Sequence, residues 1–154
     1  MAEWSANQQQ QINPGETIIF TENPVPCRRG LIHHRDDSGV FLLAGYVPRQ
    51  SGCPCNSQNA LYLVDFGANI AIPTGGSVGA ISVALTIDGA TIPASTMTVT
   101  PAAATEFSNV SCAINVAVFK GCCEFLSVKN TSDQPILIQN ANIIISRPDL
   151  AVTR

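Results

Sequence analysis

The chain has 154 residues, 45% of them hydrophobic but only 12% charged, with a net charge of −3. That length suits one domain with a complete core, whereas the charged share is about half of what a soluble domain usually carries. A balance with no basic stripe gives no support for nucleic-acid binding, and no apolar run approaches the roughly 20 residues of a membrane-spanning helix.

The first segment, MAEWSANQQQQ, has neither a basic n-region nor an apolar h-region. No secretory signal is therefore expected, and the chain reads as one that folds in a cytoplasm. Residues 1–13 read as an extended arm or a short lead-in strand. Trp4 within it is either a local packing residue or an anchor that docks on a partner. Asn13-Pro14-Gly15 is a turn, and Thr17–Thr21 a short strand. Asn23-Pro24-Val25-Pro26 should then interrupt regular pairing, because proline cannot donate to a ladder. Gly30–His34 and Val40–Leu43 form a hairpin across Asp36-Asp37-Ser38-Gly39, and residues 46–58 form a loop holding Cys53 and Cys55.

Period-2 alternation is strongest over residues 60–101. Tyr62, Val64, Phe66, Ala68, Ile70 and Ile72 make one apolar face, with Asp65, Gly67 and Asn69 on the other. Beyond Thr74-Gly75-Gly76, Ile81, Val83, Leu85 and Ile87 face inward and Ser82, Thr86 and Asp88 outward, followed by a turn at Asp88-Gly89. These runs read as a β meander. Phe107–Phe119 is a long strand with Val110, Cys112, Ile114, Val116 and Val118 inward. Lys120-Gly121 turns it into Cys122–Asn130, and Thr131–Gln134 turns that into Pro135–Arg147. About ten short strands with no amphipathic helix predict an all-β antiparallel jelly-roll sandwich. The domain plan is an arm at 1–13, one jelly roll at 14–148 and a tail at 149–154.

The charge pattern carries a second message. No Lys or Arg occurs between Arg49 and Lys120, and Asp65, Asp88 and Glu106 are the acids of that interval. Monomers spread charge over their surface, so a stretch this long with so few charges, its surface rich in neutral Ser, Thr, Ala and Asn, points to coverage by another subunit.

Candidate chemistry is sparse. Gly75-Gly76-Ser77-Val78-Gly79 matches G-x-S-x-G, but a nucleophile elbow needs a helix after it and a histidine downstream. Here a strand follows and both histidines lie upstream. His33 and His34 are adjacent in a strand, so they point to opposite faces and do not suit one ion. Cys53-Pro-Cys55 and Cys122-Cys123 lack the usual zinc spacing. Cys112 reads as a small buried apolar residue. Cys27, Cys53, Cys55, Cys122 and Cys123 remain as free or oxidisable thiols whose pairing spacing does not dictate. Asn109-Val-Ser and Asn130-Thr-Ser read as chance sequons. No enzyme activity and no cofactor are expected.

The order of features resembles the C1q/TNF-like jelly-roll superfamily. The matching pieces are Gln11 to Phe20 for its early strand, the hairpin 30–45 ending in Gly45, and Tyr62-Leu-Val64-Asp-Phe66. The wording IAIPTGGSVGAISVALTIDG, STMTVTPAA, the GCC turn at 121–123 and QNANIIISR is similar to small proteins of gut Clostridia and their phages and prophages. That resemblance covers about residues 11–147. It implies a ten-stranded jelly roll assembled as a compact homotrimer, without the collagen-like stalk often attached to such heads. The functional expectation is a structural protein of a virion exterior, a capsid decoration or head-fibre knob. It would contact other particle surface proteins and attach through the N-terminal arm with Trp4 as anchor. The alternative is a module on a virion or spore surface that recognises a host glycan or receptor. Such sites usually cluster exposed Trp, Tyr or Arg, and one Trp and two Tyr favour the structural role.

Overall fold

Strand β6 (Asn59–Ala71) is the longest element, and its side chains alternate between buried and half-exposed along nearly its full length. The computed structural model describes residues 1–47 and 59–148. Before β6 come β1 (Ala2–Ala6), β2 (Gln10–Ile12), β3 (Glu22–Val25), β4 (Ile32–His34) and β5 (Phe41–Ala44). After it come β7 (Ile81–Ile87), β8 (Ala90–Thr91), β9 (Met97–Val99), β10 (Ser108–Phe119), β11 (Cys123–Asn130) and β12 (Ile136–Ser146). No α-helix occurs among the described residues, and Pro93–Ser95 form a 3-10 turn.

The strands form two sheets, one ordered β10-β6-β12-β1-β3 with β2 also on β12, the other β4-β5-β11-β7-β8 with β9 also on β7. Every ladder is antiparallel. The all-β sandwich is thus as the alternation implied. The core lies between the sheets: Tyr62, Val64, Ile70 and Ile72 from the β6 run meet Phe41, Leu43, Val83, Leu85, Leu126 and Val128, all fully buried. The meander is not as expected, however. β6 and β7 never pair, because residues 72–80 carry the chain from one sheet to the other. The connections β10–β11 and β11–β12 cross in the same way. A strand with one apolar face can bury it equally well in either sheet, so alternation alone does not distinguish a local hairpin from a crossover.

Asp88-Gly89 behaves as the turn its residues require. Both have positive φ, 50° and 82°, the geometry of a type I′ hairpin, and β7 and β8 pair directly across it. Gly45 is needed for a different reason. Its N–H donates to Cys122 O at 2.7 Å and its carbonyl accepts from Gly121 N at 2.9 Å. A Cβ there would run into the Phe119 carbonyl oxygen, so the backbones approach as closely as only glycine permits.

Of the two readings of residues 1–13, the short lead-in strand holds and the extended arm does not. β1 pairs with β12 on one side and β3 on the other, and β2 extends the ladder on β12. Ala2, Trp4 and Ala6 point inward, and Trp4 is 3% exposed. Its indole meets Phe41 edge-on at 4.9 Å, and Phe41 meets Phe20 at 5.4 Å. The local-packing reading of Trp4 therefore holds, and its ring has no free surface with which to anchor a partner. Five residues of alternation next to a Gln run are too few for the period to stand out.

Pro24 does not end pairing either. It lies in β3, an edge strand with a ladder on one side only, and a register shift between Glu3 and Ser5 accommodates it. The strand expected at Thr17–Thr21 is instead a strap between the sheets. Ile18 N donates to Val128 O in β11 at 2.9 Å, and Thr21 N donates to Ser5 O in β1 at 3.1 Å. The Gln10 amide pairs with both backbone groups of Ile19 at 3.0 Å, standing in for a neighbouring strand.

Because Trp4 is core, Trp4→Ala should cost about 3–5 kcal/mol, as truncations of buried aromatics do. Deleting residues 1–10 should abolish the cooperative urea transition. A truncated chain that retains wild-type stability would contradict this placement of β1.

Candidate functional site

The two faces of the β6 sheet differ sharply. Away from the core it presents Leu61, Leu63, Asp65, Gly67 and Asn69 from β6. On β10 these lie beside exposed Ala117, Asn115, Ala113 and Ser111. On β12 their neighbours are half-buried Ser146, Ile144 and Asn142. Asp65 is the single charged side chain in this three-strand surface. A shallow depression of about 440 Å³ lies over it, lined by Asp65, Gly67, Ser111, Ala113 and Asn142. The depression exists because position 67 has no side chain: a Cβ there would sit 3.1 Å from Asn142 Oδ1.

A second region surrounds the segment 26–31, which leaves β3 at the edge of one sheet and enters β4 at the edge of the other. Cys27 is half-buried there. Burial pulls its thiol pKa upward, but hydrogen bonds from the backbone N–H groups of Arg29, Ile32, Leu31 and Gly30 outweigh it. The thiol therefore lies below its ordinary value. Gly30 adopts a φ of 63°, which helps turn successive N–H groups toward one point. Cys112, by contrast, is raised, by burial and by the nearby negative charge of Asp65.

Tyr62 ties this segment to the core. It is fully buried, and its hydroxyl lies 2.6 Å from Ala44 O and 3.0 Å from Leu31 O. The Arg147 guanidinium lies over its ring at 4.8 Å and donates from Nη2 to Tyr46 O at 2.9 Å. Arg147 itself is 7% exposed. Neither Tyr62 nor Arg147 stood out in the sequence as more than a sheet residue. An arginine closing an apolar strand was the available signal.

The remaining candidates are dispersed. Cys122 and Cys123 are exposed at the β10–β11 turn, and Cys53 and Cys55 lie outside the described residues. His34 is half-buried, stacked on Phe41 at 4.6 Å, with Nε2 at 2.9 Å from Ser38 O, while His33 is exposed. Among the described residues no three His, Cys, Asp or Glu side chains come together as a metal-holding group. Ser77 of the G-x-S-x-G match sits in the 72–80 crossover, where its N–H donates to Gln134 Oε1 at 3.0 Å. Asn130 is buried, donating to Ile12 O and Gln134 O, which makes it inaccessible to glycosylation.

No protein-family model matches the chain, and the comparison with curated proteins finds no relative. Solved structures do match. The globular domain of zebrafish complement 1qA protein superposes with a TM-score of 0.58, over 93% of this chain and 94% of its own, at 10% identity. The Eiger TNF from S. frugiperda superposes with a TM-score of 0.63, over 99% of this chain and 93% of its own, at 13% identity. The molecule is therefore a two-sheet antiparallel sandwich with the C1q/TNF-like fold, and what it shares with these proteins is the fold.

The opposed shifts of the two thiols set their reactivity. Iodoacetamide reacts with thiolates, so at neutral pH Cys27 should alkylate several-fold faster than Cys112, with a rate midpoint below that of an ordinary thiol. Peptide mass spectrometry separates the sites, and faster labelling of Cys112 would contradict the assignment.

Proposed function

We propose that this chain is a self-assembling jelly-roll head that forms a homotrimer and serves as a structural protein on the exterior of a particle, as a phage capsid decoration or head-fibre knob does. The observation that carries the proposal is the outer face of β6, β10 and β12. Leu61, Leu63, Ile144, Ala113 and Ala117 leave it weakly hydrated, and Asp65 is its single charge. Such a face gains by being covered, and in a closed cyclic assembly the same patches meet at every interface. The C1q/TNF-like fold is commonly trimeric, which favours three copies over two. The choice of particle rests on the resemblance of the sequence to small proteins of gut Clostridia and their phages.

Attachment through a Trp4-anchored arm is no part of this reading, since Trp4 lies in the core. Contact with other particle proteins falls instead to the surface of the sandwich.

Light scattering at low micromolar concentration should return three times the chain mass. Ala117→Arg, at an exposed position that disturbs no core contact, should yield a folded monomer with an unchanged circular dichroism spectrum. A cooperatively folded wild-type monomer would refute the assembly. Immunogold labelling of purified virions tests the location separately.

A further inference from the structure

Strand alternation leaves a second apolar surface outside the core, on the sheet of β4, β5 and β11. Phe41 and Leu43 of β5 are buried, so Leu42 between them points to the opposite face. Across the ladders Leu42 stands opposite Phe125 of β11 on one side and His33 of β4 on the other. Val40 and Arg35, two residues from Leu42 and His33, continue this face toward the hairpin tip. Together with His34 and Ser38 these side chains line a shallow cavity of about 450 Å³. Phe125 is 52% exposed and Val40 37%, so the apolar floor is open to a ligand.

The charge at this cavity is of one sign. Arg35 is exposed at its rim, and its guanidinium makes no hydrogen bond or ion pair among the described residues. No Asp or Glu among the described residues lines the cavity. Asp36 and Asp37 follow Arg35 in the chain but line a different cavity, beside Trp4 and Phe20. An apolar floor gains when water leaves it, whereas a guanidinium that loses water needs an anion in its place. One small ligand satisfies both when an apolar body carries a single anionic group at its end.

The frame is set in the free protein. Ser38 Oγ donates to Arg35 O at 2.7 Å and accepts from Val40 N at 3.3 Å. Ser38 O accepts from Phe20 N at 3.0 Å and lies 2.9 Å from His34 Nε2. The hairpin tip that carries Arg35 is thereby fastened to the core. Phe125 is held as firmly: its N–H donates to Asp88 Oδ1 at 2.9 Å, and its carbonyl accepts from Asp88 N at 2.8 Å. A site ordered beforehand loses little freedom on binding.

We propose that this cavity is a binding site for a small apolar carboxylate, an aryl or acyl group ending in one carboxylate. The body lies on Val40, Leu42 and Phe125, and the guanidinium fork of Arg35 receives the carboxylate. The volume falls within the roughly 300–1,000 Å³ usual for ligand sites. These residues belong to the sheet opposite β6, β10 and β12, so the site and the assembly stand or fall separately.

Hydrocinnamate, hydrocinnamyl alcohol and acetate, each titrated into the full chain and followed by amide NMR, test the two halves of the site. Hydrocinnamate should bind saturably in the millimolar range, shifting the amides of His33, Leu42 and Phe125. The alcohol keeps the ring without the charge, and acetate keeps the charge without the ring. Each should bind about tenfold more weakly. Arg35→Gln and Phe125→Ser, both at exposed positions, should each weaken hydrocinnamate about tenfold while the rest of the spectrum is preserved. Equal affinity for the alcohol would overturn the carboxylate assignment, and equal affinity for acetate would overturn the apolar floor. Absence of saturation, or unchanged affinity in either variant, would overturn the site altogether. Light scattering on Phe125→Ser should return the wild-type mass; a lower mass would make this face a contact between copies and overturn the ligand site.

Discussion

The inward face of β6 is the constraint on which the rest of the molecule depends. From Ala60 to Ile72 every second side chain is buried, and the strand is paired on both sides, with β10 and β12. Tyr62 adds a polar element to this apolar face. Its hydroxyl crosses to the opposite sheet and meets Ala44 O in β5. Left unpaired, a buried hydroxyl would cost about 1–3 kcal/mol. The pairing therefore favours one relative placement of the sheets as well as burial itself.

Around that core the sandwich manages its edges by local means. β3 and β4 are short outer strands, which limits the unpaired backbone they offer to other chains. Pro24 removes one donor from β3. The strap at residues 17–21 bonds to β11 in one sheet and β1 in the other, closing the gap between them. Gln10 completes the strap with a side chain where no strand is available. The N-terminal residues are structural for the same reason: without β1, β3 would lose its only ladder, and β12 would keep β6 but lose most of its pairing opposite.

Charge is distributed by location. The β6, β10 and β12 surface holds Asp65 alone, whereas the edge beside β3 and β4 gathers three arginines around one cavity. A neutral surface loses little hydration when covered. The two regions thus differ in kind, on separate residues of one small domain.

Fold class was legible from the sequence because side-chain alternation is a local consequence of strand geometry. Tyr62 to Ile72, Ile81 to Leu85 and Val110 to Val118 each display it within their own span, and Asp88-Gly89 marks its turn through its residue types. The absence of Lys and Arg between Arg49 and Lys120 could likewise be read directly, since charge is a property of composition. Sheet membership was not legible, because a strand with one apolar face fits either layer and the loops after β6, β10 and β11 bridge both. The role of Trp4 was hidden because five residues of alternation beside a glutamine run do not reveal a period. The arginine cavity was beyond reach because Arg147 follows Arg29 by more than a hundred positions. Only the pairing of β12 with β6 and β1, together with the close approach at Gly45, brings its guanidinium over Tyr62 and beside the loop.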